Sequence, residues 1–334
     1  MIVFTRQMLP DTAIPKGVQL MKTKEIIPIF FAVDDNYAKY LCVALRSLVD
    51  NRSDKYDYKI HVLIENLSDD IKEAILEFEV ENVKIEFVDV TDNLRSICER
   101  LHMRDYYTKA TYYRFFVPEM FPKYSKGLYL DCDIAITCDI AKLYKKPLGQ
   151  NLVVAVPDEI MTDIDVFGRY AETVLGVPRN EYFNAGILVM NLSEMRKMNI
   201  EKKFAELLSE RTFRVAQDQD YLNVICYGRT TLINKIWNKT PMPYSDPTKT
   251  PRIAHYKINY KPWKYDGVVY GELFWEYAKR TRFYNELLEA KNSYTEAEKQ
   301  RDQSQYDSLV ELAINETEEF VATASLSKFD FVTA

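Results

Sequence analysis

Glycine is scarce in this chain, with only 9 among 334 residues, and its scarcity narrows the ways in which the protein can bind a phosphate. The sequence contains neither the G-x-G-x-x-G fingerprint of dinucleotide-binding folds nor a Walker A loop. The H-E-x-x-H and G-x-S-x-G motifs of metallopeptidases and serine hydrolases are also absent. A bound phosphate would therefore have to be neutralised by a metal ion or by Lys and Arg side chains.

Cysteine and long apolar runs are also limited. The five cysteines are scattered and form no C-x-x-C pair, which favours reduced thiols in a cytoplasmic protein over a disulfide or zinc framework. No secretory signal is visible at the N-terminus, and no apolar run reaches the length of a membrane span. We expect a cytoplasmic protein, with peripheral attachment at the inner face of the membrane left open.

Basic residues show no excess, because the net charge is −6, and this argues against a nucleic-acid-binding protein. The hydrophobic fraction of 47% is sufficient for a sizeable core in one large α/β domain or two small ones. Tyrosine is abundant at 24 residues. Most of these tyrosines are expected in the core, although aromatic residues also line pockets for sugars and bases.

The first third of the chain alternates between strand and helix patterns. Apolar stretches at 26–33, 59–65 and 83–90 are predicted strands, and amphipathic helices are predicted between them. This β-α-β-α-β order is typical of a parallel sheet covered by helices. Asp34, Asp35, Asn36 and Tyr37 follow the first strand, where they could bind a ribose or base or simply cap the next helix.

Within Gly127–Ile136, a further apolar run, Gly127–Leu130, ends in Asp131-Cys132-Asp133. Side chains two residues apart in an extended chain point to the same side, so both carboxylates can face one point. In open α/β sheets ligands bind at the carboxyl ends of the strands. The pattern therefore predicts a site for a divalent cation, with a solvated turn as the alternative.

Further polar residues interrupt apolar surroundings. Arg114 needs an anion or carbonyl partner if it is buried and forms a surface salt bridge if it is not. Asn184 precedes two small residues that permit close backbone approach. Asp158 follows the predicted strand 152–156, and Asp218 and Gln219 open a helix. His255 and Lys261 lie further along the chain, and a lone histidine is more often a packed residue than a ligand.

Six stretches in this order resemble glycosyltransferase family 8, retaining enzymes that include bacterial lipopolysaccharide galactosyl- and glucosyltransferases and glycogenin. They are FAVDDNYAKYLCVAL at 31–45, TYYRF at 111–115, LYLDCDI at 128–134, YFNAGILVMNL at 182–192, QDQDYLN at 217–223 and HY…KPW at 255–263. The resemblance implies a GT-A α/β fold, with a mostly parallel central sheet flanked by helices. We divide the chain into an N-terminal extension (1–24), a GT-A domain (25–290) and a polar, acidic tail (291–334) expected to be a peripheral appendage.

The same resemblance implies roles for individual residues. Asp131, Asp133 and His255 would bind Mn²⁺, with Mg²⁺ as the other candidate, and imidazole favours the softer ion. Lys261 would contact the diphosphate of a UDP-sugar. The other donor-binding residues would be Asp34, Asp35, Asn36, Tyr37, Arg114, Cys132 and Asn184. The catalytic set would be Gln219, Asp218 and Asp158. Ile258 stands where the family loop often carries a glycine.

The implied reaction moves glucose or galactose from UDP to a hydroxyl of a saccharide, a glycan or a glycosylated protein, with retention of configuration. Gln219 would lie nearest the anomeric carbon, and an amide is a poor nucleophile, which favours same-face attack over a covalent intermediate on Asp158 or Asp218. Acceptor choice is expected to depend on residues 159–180 and 239–250. The alternatives are a non-catalytic UDP-sugar-binding scaffold and a metal-dependent nucleotidyltransferase.

Overall fold

A computed structural model describes residues 24–95, 109–243 and 245–330. Almost all of the predicted N-terminal extension and the last four residues lie outside these ranges. The sequence also predicts helices within residues 91–120, and part of that region lies outside the described residues. Among the described helices, none is both long and apolar enough to cross a membrane.

A seven-stranded sheet forms the centre of the molecule. In chain order its strands are β1 Glu25–Ala32, β2 Tyr56–Ile64, β3 Val83–Asp89, β4 Gly127–Leu130, β6 Val153–Pro157, β7 Phe183–Met190 and β8 Thr230–Leu232. They lie side by side in the order β3-β2-β1-β4-β7-β6-β8. All neighbours pair in parallel except β7, which is antiparallel to both β4 and β6. The predicted β-α-β-α-β start of the chain is confirmed.

A separate two-stranded sheet pairs β5, Ile134–Ile136, with β9, Ile253–His255. The strands are antiparallel, and Ile134 lies opposite His255. This pairing brings His255 next to Asp133, although the two residues are far apart in the sequence.

Helices cover both faces of the large sheet. They are α1 Ala38–Asn51, α2 Asp69–Leu76, α3 Thr91–Arg95, α4 Val117–Met120, α5 Ala141–Tyr144, α6 Glu159–Asp163, α7 Asp165–Tyr170, α8 Leu192–Met198, α9 Ile200–Glu210, α10 Asp218–Cys226, α11 Gly271–Ala278, α12 Tyr284–Asn292 and α13 Glu296–Asp330. The sequence predicts one helix from 273 to 288, but the structure has two helices there, α11 and α12. The stretch Lys109–Phe115 is a 3₁₀ helix.

Strand β1 shows how the core is divided. Ile29 and Phe31 pack into one buried cluster with Leu41 and Leu45 of α1, while Phe30 packs into a second cluster on the opposite face. Successive side chains of a strand point to opposite faces, so a strand covered on both sides has to be apolar throughout. The continuous apolar run at the start of the chain follows from this double burial.

The C-terminal tail differs from the expected peripheral appendage. Helix α13 packs against α7, with Ala313 fully buried and the Asp302 carboxylate in a buried cluster. One face of the helix, at positions 302, 306, 309 and 313, makes these contacts at helical spacing. Two of these four positions are an aspartate and an alanine. The hydrophobic periodicity of the sequence is therefore weak here, although this face of the helix packs against the rest of the protein.

Candidate active site

The candidate site lies at one edge of the large sheet, where four strands present polar residues. Strands β1, β4 and β6 run in the same direction, and Asp34, Asp131 and Asp158 follow their carboxyl ends. Strand β7 runs the other way, so its second residue, Asn184, lies at the same edge. Ligands of open α/β sheets bind at this edge.

One cavity contains nearly all the residues predicted from the sequence. The predicted residues that line it are Asp34, Tyr37, Arg114, Asp131, Cys132, Asp133, Asp158, Asn184, Asp218, Gln219, His255 and Lys261. Asp35 and Asn36 are exposed and are not among its lining residues. The Asp35 carboxylate instead accepts a hydrogen bond from the backbone N–H of Ser68, 3.0 Å away. The polar residues after β1 therefore divide between the cavity and the surface.

Asp131, Asp133 and His255 form a candidate metal site, since one donor atom from each lies within 4.8 Å of the others. His255 Nε2 is 3.2 Å from Asp133 Oδ1 and 3.6 Å from Asp131 Oδ2. Gly186 makes this convergence possible, because a Cβ there would overlap with both Asp131 Oδ2 and His255 Cε1. Two carboxylates and an imidazole are suitable ligands for a divalent ion such as Mn²⁺.

Asn238 orients the imidazole and was not predicted from the sequence. Its Oδ1 accepts a hydrogen bond from His255 Nδ1 at 2.9 Å, while its Nδ2 donates to Asn184 Oδ1 at 2.8 Å. With the proton on Nδ1, the lone pair of Nε2 faces the two carboxylates. A ligating histidine usually has this kind of partner on its other nitrogen, so the arrangement fits a metal ligand.

Lys261 supplies a buried positive charge beside the candidate metal site. Its Nζ lies 2.7 Å from Asp133 Oδ2 and donates to the hydroxyl of Tyr37 at 2.8 Å. Burial raises the pKa of Asp133, but the charge and hydrogen bond of Lys261, together with the neighbouring His255, outweigh it and hold that pKa well below its usual value. Asp133 is therefore an ionised carboxylate.

Arg114 is buried, so it has the anion and carbonyl partners predicted for a buried arginine and not the alternative surface salt bridge. Its guanidinium lies 3.1 Å from Asp131 and 3.2 Å from Asp218, donates to the backbone carbonyl of Ala185 and stacks over the ring of Tyr129. Burial raises the pKa of Asp218 to about 7, although Arg114 opposes the shift. Arg114 thus links the carboxylate after β4 to the start of α10.

Asp158, Asn184 and Gln219 form a second polar cluster in the same cavity. The Gln219 Oε1 accepts hydrogen bonds from Asn184 Nδ2 at 2.9 Å and from the backbone N–H of Ala185 at 3.0 Å. Asp158 accepts from Asn184 at 3.0 Å and pairs with Lys257 at 2.7 Å. Burial raises the pKa of Asp158, but Lys257 and these hydrogen bonds hold it below its usual value. The amide and the carboxylate are both fixed in position.

The site lies within a region that matches a known protein family. A model described as glycosyl transferase family 8 matches residues 28–267, which include every polar residue of the two clusters. The chain belongs to glycosyltransferase family 8. The sheet, the candidate metal site and the order of the six sequence stretches all agree with that membership, and the fold is of the GT-A type.

Similar proteins cover most of the chain. General stress protein A of Bacillus subtilis (strain 168) is 30% identical over 269 residues, which span 73% of this chain and 89% of that protein. The lipopolysaccharide 1,2-glucosyltransferase of Escherichia coli (strain K12) is 26% identical and spans 73% of this chain and 74% of its own. The solved galactosyltransferase LgtC, with donor and acceptor sugar analogues, superposes with a TM-score of 0.65 at 27% identity, over 77% of this chain and 96% of that one.

Ile258 stands where the resemblance leads us to expect a glycine, and the backbone conformation at this position is one that favours glycine. Its φ is +63°, in the left-handed region that a β-branched residue rarely adopts. The glycine expected from the resemblance would occupy this conformation without strain. The backbone therefore has a glycine-type conformation although the side chain is isoleucine.

Sequence reasoning missed several cavity or supporting residues of this family 8 protein, among them Lys257, Asn238, Tyr306 and Leu309. Lys257 lies two residues after His255, and its position beside the strand end was a usable signal. Asn238 was not identifiable without the structure, because its partner His255 is 17 residues away. Tyr306 and Leu309 belong to α13, beyond the family match.

Proposed function

We propose that this protein is a retaining hexosyltransferase that moves glucose or galactose from a UDP-sugar to a hydroxyl of a saccharide or glycan, with Mn²⁺ as its cofactor. One observation carries the proposal. The candidate metal site and the Asp158–Asn184–Gln219 cluster line the same cavity, and Asn238 joins them by hydrogen bonds to His255 and Asn184. Charge neutralisation and sugar binding can therefore act on one donor molecule.

The residues at the metal site fit the cation that the family implies. Asp131, Asp133 and the correctly oriented Nε2 of His255 would hold it. When bound, the ion supplies positive charge that stabilises the diphosphate leaving group, an effect typically worth several kcal/mol. Lys261 would add a second positive charge from the side of Tyr37, where its ammonium already has a buried carboxylate as partner.

The arrangement around Gln219 supports same-face attack. The Gln219 carbonyl oxygen is held by two N–H donors, so the amide has a fixed orientation in which it can contact the sugar. The Asp158 carboxylate also accepts from the backbone N–H groups of Ile160 at 2.9 Å and Met161 at 3.3 Å, besides Lys257 and Asn184. A carboxylate with so many donors is a weak nucleophile, because attack would require it to give up these bonds.

Asp218 would serve the sugar hydroxyls rather than attack carbon. It is buried and paired with Arg114, and its raised pKa of about 7 keeps part of the population protonated at neutral pH. A carboxyl group in that state can both donate and accept hydrogen bonds. In the proposed mechanism, Arg114 holds Asp218 in place while Gln219 stabilises the positive charge that develops on the sugar ring.

UDP release from UDP-glucose and UDP-galactose, measured with Mn²⁺ and with EDTA, tests the proposal. We expect release with Mn²⁺ for at least one of the two sugars, and loss of at least 100-fold in EDTA or in Asp133→Asn. Asp163→Asn, an exposed carboxylate outside the cavity, is the matched control and should behave as the wild type.

Binding of UDP-sugar without UDP release under any of these conditions would instead identify a binding scaffold. Release of pyrophosphate from a nucleoside triphosphate would identify a nucleotidyltransferase. The configuration of the transferred sugar, read by NMR from the anomeric coupling of the first product, decides whether the transfer is retaining.

A further inference from the structure

The cavity has two chemically different sides. The side formed by the strand ends carries the carboxylates, Lys261 and the amides described above. The other side is apolar, and its lining residues come from α6, α7 and α13. They include Ile160, Met161, Phe167, Tyr306 and Leu309. None of these five residues is charged, so the part of this apolar wall that the structure describes offers no positive charge to a diphosphate.

Helix α13 presents this wall through one of its faces. Tyr306 and Leu309 are three residues apart and therefore lie on the same side of the helix. The Tyr306 ring packs edge-on against Phe167, with centroids 6.5 Å apart and planes inclined by 66°. Both α13 residues are only partly buried, which leaves part of each side chain facing the cavity.

A buried carboxylate fixes the start of α13 to the loop that carries Lys261. Asp302 accepts hydrogen bonds from Lys264 at 3.0 and 3.1 Å, from Tyr265 at 3.0 Å and from Tyr294 at 2.8 Å. Its backbone carbonyl also accepts from Asn259 Nδ2 at 2.8 Å. The wall is thus held in a defined position relative to the proposed donor site.

The wall also lies partly outside the region that the family shares. The family match ends at residue 267, whereas α13 begins at Glu296. The residues that serve the donor in the function proposed above all lie within the family match. A cavity wall contributed by a separate C-terminal helix is suited to the substrate that varies, which is the acceptor.

We infer that Tyr306 and Leu309, together with Phe167, form the acceptor subsite, and that its ligand is a saccharide whose ring stacks on Tyr306. The inference rests on the proposed function and assigns the acceptor to the apolar side of the same cavity. A sugar ring has an apolar C–H face that packs on aromatic carbon, while its hydroxyls need polar partners. Here the aromatic face is provided by α13, and the polar partners are provided by the strand edge.

Tyr306→Ala and Tyr306→Phe test this assignment. The probes are UDP-glucose or UDP-galactose, whichever releases more UDP, and the 4-nitrophenyl α- and β-glycosides of glucose, galactose and N-acetylglucosamine. We expect Tyr306→Ala to raise the KM for the accepted glycoside at least tenfold and to raise the KM for the UDP-sugar by less than threefold. Tyr306→Phe keeps the ring and should restore the KM to within threefold.

Phe320→Ala provides the matched control on the same helix. Phe320 packs near Arg211, 4.7 Å from its guanidinium carbon, and is not among the described residues that line the cavity. An equal rise in KM in this variant would show a general packing effect and overturn the assignment. An unchanged glycoside KM in Tyr306→Ala would also overturn it.

Failure of the inference and failure of the proposed function give different results. If the wild type releases no UDP from either sugar, the proposed function itself is wrong. If it releases UDP but glycosylates none of the six glycosides, the hexosyltransferase proposal stands and the stacked-saccharide subsite is wrong.

Discussion

Gly186 is the residue on which the geometry of the metal site depends. Asp131 follows β4 and His255 ends β9, and their side chains converge over the Gly186 backbone, where a Cβ would overlap with both. The backbone carbonyl of Gly186 also accepts a hydrogen bond from the Asp131 N–H at 2.7 Å. Small size is thus required at this position because of close approach, although its φ is not in the left-handed region.

We predict that Gly186→Ala separates the two ligands and weakens Mn²⁺ binding at least tenfold, as changes around metal ligands typically do. Isothermal titration with Mn²⁺ in the presence of UDP measures the effect. Gly127→Ala is the control, because its Cβ would meet Phe30 in the core instead of the metal ligands. That variant should lose stability and keep its Mn²⁺ affinity, and equal affinity losses in both variants would contradict the prediction.

Ile258 combines a β-branched side chain with a left-handed backbone conformation that such residues rarely adopt. The left-handed conformation costs a β-branched residue about 1–2 kcal/mol. Glycine would remove this strain, while it would lose the packing of a half-buried side chain and add flexibility to the unfolded chain. These opposing effects are similar in size.

We therefore expect Ile258→Gly to change the free energy of unfolding by less than about 1 kcal/mol. Ile233 is also partly buried and is not among the residues with positive φ, so Ile233→Gly should cost about 2–3 kcal/mol. Urea unfolding of both variants makes the comparison. Equal losses of stability would show that residue 258 carries no backbone strain.

At the scale of elements, Asp220 connects three parts of the structure around α10. Its carboxylate accepts hydrogen bonds from Tyr170 at the end of α7 at 2.9 Å and from Tyr182 just before β7 at 2.7 Å. It also accepts from the backbone N–H of Ala216 at 2.9 Å. Burial nevertheless raises the pKa of Asp220 to about 6, against these hydrogen bonds, which lower it. This network holds the start of α10, which carries Asp218 and Gln219.

The raised pKa of Asp220 predicts a pH dependence of stability. The folded state binds the proton more tightly than the unfolded state, so the contribution is fully present below pH 4 and is lost as the pH rises through about 6. We expect the free energy of unfolding of the wild type, relative to Asp220→Asn, to fall by on the order of 1–3 kcal/mol between pH 4 and 7. Urea titrations across this range measure the difference, and a constant difference would refute the prediction.

At the scale of the whole molecule, much of the fold and of the candidate site could be predicted from local patterns. Strand alternation placed Asp131 and Asp133 on one side, and the ends of predicted strands marked Asp34 and Asp158. Periodicity could not reveal that Asp35 turns to the surface, because consecutive polar residues give the same signal. Nor could it place Tyr306 in the cavity, since that contact depends on how a distant helix packs.

The charges of the whole site link metal binding to the stability of the folded protein. Asp131, Asp133 and Asp34 line the cavity beside the cations Arg114 and Lys261. A divalent ion that binds only the folded state stabilises it by RT ln(1 + [L]/Kd), or about 2.7 kcal/mol at a concentration of one hundred times Kd. We expect Mn²⁺ with UDP to raise the Tm of the wild type by several degrees, and EDTA to reverse the rise.

The control variants separate specific binding from a general effect of ions. Asp131→Asn and His255→Ala each remove one candidate ligand, so Mn²⁺ with UDP should raise their Tm by much less than that of the wild type. Asp163→Asn removes an exposed charge outside the cavity and should keep the full rise. Differential scanning fluorimetry at constant ionic strength measures all four proteins. Equal shifts in all of them would place Mn²⁺ elsewhere on the protein, because the folded-state stabilisation would then not depend on these ligands.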